Sequence, residues 1–127
     1  MEKRIVQEAQ TSIAFIYSNT VLINNAQSAL DFIMSIFYND NCTRIAINKE
    51  ALCDEFFVLS TGVAGEILQK VVNYKMMLAI IGDFCEYTSE PLKDFIYECN
   101  NGRHVYFVED EDAAMVKLTN GKQYFAL

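Results

Sequence analysis

The chain has 127 residues, 52% of them apolar, with 5 glycines, 1 proline and a formal charge of −7. That size suits one domain, in which folding hides roughly two-thirds of the surface the unfolded chain exposes, and the composition excludes a disordered or low-complexity chain. Clustered Lys and Arg bind phosphate backbones and acidic bilayers; here basic residues are outnumbered 10 to 17 and form no stripe, which argues against nucleic acid and membrane partners.

In chain order, residues 4–8 and 12–17 read as short strands rich in Ile, Val, Phe and Tyr, joined by a polar segment able to turn a hairpin. Asn24-Asn25 offers a cap for a helix over 26–37, whose Ala29, Leu30, Ile33, Ile36 and Phe37 fall at helical spacing, and Asn39-Asp40-Asn41 ends it. The continuous apolar run Ile45-Ala46-Ile47 predicts a buried strand over 44–48. Residues 49–57 read as a short helical turn leading into a loop. Ser60-Thr61-Gly62 opens a helix to about residue 74, with Val63, Ile67, Val71 and Tyr74 as its stripe.

The most apolar strand follows at 76–81, punctuated by Gly82-Asp83. Thr88-Ser89-Glu90-Pro91 is the clearest helix start, because proline at the first turn forfeits no hydrogen bond. That helix stops at Asn100-Asn101-Gly102 and leads to a last strand at 104–108. Four acids at 109–112 suit the positive end of a final helix through Leu118, and the tail 123–127 reads as an edge strand or a contact segment. The order β-β-α-β-α-β-α-β-α predicts an α/β domain over 1–118, with a mixed, mostly parallel sheet and packed helices, followed by an extension over 119–127.

The first apolar run, at 13–17, is too short for a signal-peptide core, and nothing approaches the ~18 apolar residues of a membrane span, so a cytoplasmic chain is expected. Cys42, Cys53, Cys85 and Cys99 form no CxxC pair, and the lone His104 completes no site by spacing. Four reduced thiols, no metal and no cofactor are expected.

Four segments carry a resemblance. They are Val21-Leu22-Ile23-Asn24 with Gln27-Ser28-Ala29-Leu30-Asp31, Ile47-Asn48-Lys49-Glu50, the run Thr61-Gly62-Val63-Ala64-Gly65-Glu66-Ile67-Leu68-Gln69-Lys70, and Gly82-Asp83-Phe84 with Leu92-Lys93-Asp94-Phe95-Ile96-Tyr97-Glu98. Together they resemble a family of small, mostly bacterial proteins known only as domain-of-unknown-function family 4180. The element order is more distantly similar to the anti-sigma-factor antagonist fold, called STAS or SpoIIAA-like. In that fold an Asp-Ser-Ser-Gly segment opens the second helix, and its second Ser is phosphorylated by a partner kinase. Leu59-Ser60-Thr61-Gly62 stands at the matching place, with Thr61 at the phosphorylated position and Leu59 departing from the Asp.

The resemblance implies phosphorylation or partner contact at Ser60, Thr61 and Gly62; an ordinary helix cap is the alternative use of those residues. Gly62 and Gly65 lack the lysine of a phosphate loop, and close packing of the helix is the other reading. Asn48, Lys49, Glu50 and Asp83 follow two predicted strands, where parallel sheets collect ligands, and form a small polar ligand site or a solvated loop cluster. Acids beside Cys53 and Cys85 disfavour reactive thiolates, so no catalytic residue is expected. The aromatics Phe56, Phe57, Tyr87, Tyr97, Tyr124 and Phe125 exceed what a small core hides, and some are expected on a partner surface. The leading expectation is a non-catalytic regulatory module with a protein partner, a second copy being one option. A polar-ligand binder or enzyme is the alternative.

Overall fold

The computed structural model describes residues 1–8 and 10–126, of which 120–126 are described by backbone alone. The elements are β1 (Glu2–Glu8), β2 (Thr11–Tyr17), α1 (Ala26–Asp40), β3 (Arg44–Asn48), α2 (Val63–Asn73), β4 (Met77–Ile81), α3 (Glu90–Asn100), β5 (Val105–Val108) and α4 (Glu111–Ala126). Three 3-10 turns, Lys49–Ala51, Asp54–Phe57 and Leu59–Thr61, bridge β3 to α2. The five strands lie in the order β1-β2-β3-β4-β5. β1 is antiparallel to β2, and every later pair is parallel.

This strand order decides where the helices go. Each parallel crossover steps one strand in the same direction, and crossovers are right-handed, so α1, α2 and α3 fall on one face. That face buries Ala14, Ile16, Ile45, Ile47, Leu78, Ile80, Val105 and Phe107 under Ile33, Ile67, Val71 and their neighbours. The alternate residues Ile13, Phe15, Ala46, Ala79, Tyr106 and Val108 face the other way, onto Ala114 and Leu118 of α4. Strand alternation therefore feeds two apolar layers, which is why the parallel strands are apolar throughout.

Local signals explain the helix ends. Asn25 accepts from the Ser28 N–H at 2.8 Å while Ser28 Oγ accepts from the Asn25 N–H at 3.1 Å, a reciprocal cap that starts α1. Asn41, at φ 55°, ends it in the left-handed conformation asparagine tolerates. Ser89 caps α3 ahead of Pro91, and Asp110 accepts from the Ala113 N–H at 2.8 Å to start α4.

Two expectations change here. The helix opened near Thr61 begins only at Val63, with Gly62 at φ 80° as its cap position, a conformation that glycine adopts without strain. The backbone is helical to Ala126, so residues 123–126 are not an extended edge strand. One glycine costs a helix only about 1 kcal/mol, too little for Asn120-Gly121 to end it. Leu127, and the side chains of Tyr124 and Phe125, lie outside the described residues. Among the described residues no helix is long and apolar enough to cross a membrane.

Candidate functional site

Two places collect the residues singled out in the sequence. The first is a cleft of about 410 Å³ at the carboxyl ends of β2, β3 and β4. Tyr17, Asn48, Glu50, Ile81 and Gly82 line it, with Glu2, Lys3 and Arg4 of β1 and Glu111 of α4 on its rim. The β1 residues are there because the antiparallel hairpin sets Glu2 opposite Tyr17. Arg4 bonds Glu111 at 2.7 Å and lies over the Phe15 ring at 5.0 Å, and both charged groups are exposed.

Asn48 holds this end of the sheet together. Its Oδ1 accepts from the Ser18 N–H at 2.9 Å and its Nδ2 donates to the Ser18 carbonyl at 2.6 Å. The same amide donates to Glu50 at 3.1 Å. The side chain thus extends the β2–β3 ladder one step beyond the last backbone pair, and both residues are buried. Its amide is committed to structure, leaving Glu50 as the neighbouring polar group that faces the cleft.

Lys49 points elsewhere. Its ammonium donates to Glu86 at 2.5 Å and to the Asp83 carbonyl at 3.1 Å, and sits over the Tyr87 ring at 5.0 Å. The Glu86 hydrogen bond holds Lys49 above the ordinary lysine value. Its stem packs on Gly82, where an added Cβ would lie 2.7 Å from Lys49 Cδ. Lys49 therefore straps the β4–α3 loop to the turn after β3. Asp83 belongs to that loop, accepts from the Cys85 N–H at 3.0 Å, and lines a separate open groove with Phe84, Cys85 and Glu109. The four predicted ligand residues are thus divided: Asn48 and Glu50 meet, while Lys49 and Asp83 do not join them.

The second place is the amino end of α2. Thr61 and Ser60 are exposed. The Thr61 hydroxyl lies 2.8 Å from both the Glu55 and Val58 carbonyls, to which its single proton is donated, and accepts from the Val63 N–H at 3.3 Å. Thr61 thus ties the preceding turns to the first helical amide from just outside the helix. Phe56 anchors those turns in the core, 2% exposed, edge-on to Phe57 and 6.2 Å from Phe107. Phe57 stacks on Tyr87 at 5.2 Å, so the loop aromatics are mostly cemented to one another. Among the described members of the set, Tyr97, 72% exposed, is the one that stands out into solvent. Gly65 was expected to aid close packing, yet it faces open space because that face of α2 is turned away from the sheet.

Cys42, Cys53 and Cys99 are buried and Cys85 is exposed. His104 stands at the opposite end of the sheet, 3.2 Å from the Met76 carbonyl. Among the described residues no three His, Cys, Asp or Glu side chains gather as a metal cluster. Burial pushes the Cys99 thiol up to about 11 from 9.0, with Glu98 adding to the shift. A raised folded-state value favours the protonated thiol in the fold, so this contribution is intact below pH 9 and is lost as pH climbs toward 11. Alkaline destabilisation of about 2–3 kcal/mol across that window is expected, and Cys99→Ala should flatten it in urea titrations at stepped pH.

A family model matches residues 8–118, described as a domain of unknown function, DUF4180. The chain belongs to the DUF4180 family. The match ends at Leu118, which α4 packs under the sheet and whose carbonyl accepts from Arg44. No curated protein and no solved structure gives a significant match to the chain.

Proposed function

We propose that this DUF4180 chain is a non-catalytic, STAS-like protein-interaction module, read by its partner at the amino end of α2. One observation carries the reading: Thr61 is exposed, and its hydroxyl is the tie between the 3-10 turns and α2. Phosphorylation would remove the donated proton, cut the tie to the Glu55 and Val58 carbonyls, and add nearly two negative charges beside a helix start. Charge and loop position would then change together, which is what a partner-release switch needs. The element order and the mostly parallel sheet support the STAS analogy, and Ser60 and Gly62 belong to the same contact.

The test is affinity capture from the native cell with wild type, Thr61→Glu and Thr61→Ala baits. Thr61→Glu should change the recovered partners at least several-fold while Thr61→Ala, which lacks the charge, changes them less. Equal recovery by wild type and Thr61→Glu would sink the switch. A second reading, a cytoplasmic polar-ligand binder, is favoured by the cleft at the carboxyl ends of three parallel strands, where such folds hold ligands.

A further inference from the structure

We propose that the outer edge of β1 pairs antiparallel with β1 of a second copy of this chain, about a two-fold axis at Val6, to make one continuous sheet. The proposal is independent of the switch at Thr61.

The two edges of the sheet are treated differently. At β5, the outward N–H and carbonyl of Phe107 are both taken by Asn100 of α3, at 2.7 and 3.3 Å. A strand arriving there finds the Phe107 pair already bonded to α3. β1 has no such guard. It is a seven-residue strand without Gly or Pro, bonded to β2 on one side only. Among the described residues no other backbone hydrogen bond engages it. A row of unpaired N–H and C=O groups is a template for another strand. Ile5 is 42% exposed on this strand, and Val6 is half-buried beside it.

Charge selects a second copy as the occupant and selects the register. An axis perpendicular to the sheet keeps each residue on its own face, so residues that meet must share a face. Centring on Arg4 would set Arg4 against Arg4, and centring on Ile5 would set Glu2 against Glu8. Centring on Val6 sets Arg4 against Glu8 twice, Ile5 against Gln7 twice, and Val6 against itself. Of the registers that engage most of the strand, this one alone has opposite charges facing. Arg4 bonds Glu111 through one of its five N–H donors and keeps others for a partner, while Glu8 makes no ion pair among the described residues. The strand thus carries both halves of a self-complementary pattern, which an isologous interface requires.

The experiment is sedimentation velocity on the full chain from micromolar to near-millimolar concentration, with circular dichroism to confirm that each variant folds. The wild type should move toward twice the chain mass as concentration rises. Glu8→Arg sets like charges opposite one another at two symmetric places and should weaken association at least about tenfold. Arg4→Glu combined with Glu8→Arg restores opposite charges and should recover most of it. On a Cys85→Ser background, Val6→Cys should form an intermolecular disulfide under mild oxidation and Gln7→Cys should not, because only residue 6 meets itself at the axis. A monomer at every concentration, a dimer indifferent to Glu8→Arg, or cross-linking at Gln7→Cys instead of Val6→Cys would each overturn the proposal. So would a monomeric chain whose Val6→Cys cross-links only to a different protein.

Discussion

Asn48→Ala is expected to lower the unfolding free energy by about 2–4 kcal/mol, because it strands two buried backbone groups. The Ser18 N–H and C=O lose the Asn48 amide that pairs them beyond the regular ladder, and Ser18 is 2% exposed, so water replaces neither bond without opening the end of β2. Urea unfolding of the variant measures the loss. Asn48→Asp supplies a finer check. An ionised aspartate still accepts from the Ser18 N–H but turns a carboxylate oxygen toward the Ser18 carbonyl and toward Glu50. Its penalty should therefore be larger at neutral pH than in mild acid, where a protonated carboxyl can donate. A variant as stable as wild type at neutral pH would mean that Asn48 is a ligand-facing group and not a structural tie.

Phe56→Ala is expected to cost about 3–5 kcal/mol, the range for removing a buried aromatic from a core. In a domain of this length that is a fall of about 10–20 °C in Tm, readable by calorimetry. The ring is 2% exposed and touches both the sheet, at Phe107, and the stacked loop ring Phe57. Its loss should loosen the Asp54–Phe57 turn, and with it the Glu55 carbonyl that receives the Thr61 hydroxyl. Faster hydrogen exchange at 54–63 than in β3 or β4 is the expected signature. Phe57→Ala, which removes a half-buried ring, should cost clearly less. Equal losses would place the anchor of this loop somewhere other than Phe56.

The two variants bracket what was legible. Asn48 follows an unbroken apolar strand, and its place at a carboxyl end could be read directly from the order of elements. Its partner could not, because Ser18 is thirty residues away and meets it only when β2 and β3 align. The polar cluster at 48–50 and 83 looked like one site because two strand ends share an edge of the sheet. The structure divides it by side-chain direction: Asn48 turns to β2, whereas Lys49 turns to Glu86 and the loop aromatics. Of the groups on the cleft rim that sequence reasoning passed over, Glu2, Lys3 and Arg4 carried one signal. A hairpin returns the start of its first strand to the end of its second, so β1 had to arrive there. Glu111 had none, since no local pattern states which face α4 covers.

Thr61 shows the same division on a smaller scale. Its position just before a helix follows from the apolar stripe that begins at Val63, and the polar Ser60-Thr61-Gly62 suits an exposed turn. That the hydroxyl donates backward to two carbonyls while it accepts from the Val63 N–H depends on three successive 3-10 turns that hydropathy does not resolve.

Periodicity, caps and turn residues therefore determined the element list, the mixed α/β class and the two-sided burial of the parallel strands, since each depends on neighbours close along the chain. The tertiary structure alone decided that the strands lie in simple sequential order, that α4 crosses to the second face, and that one sheet edge is sealed by Asn100 while the other stays open. Those features arise from contacts between residues distant in sequence. Their free energy comes from burying both sheet faces at once, and no single segment encodes that on its own.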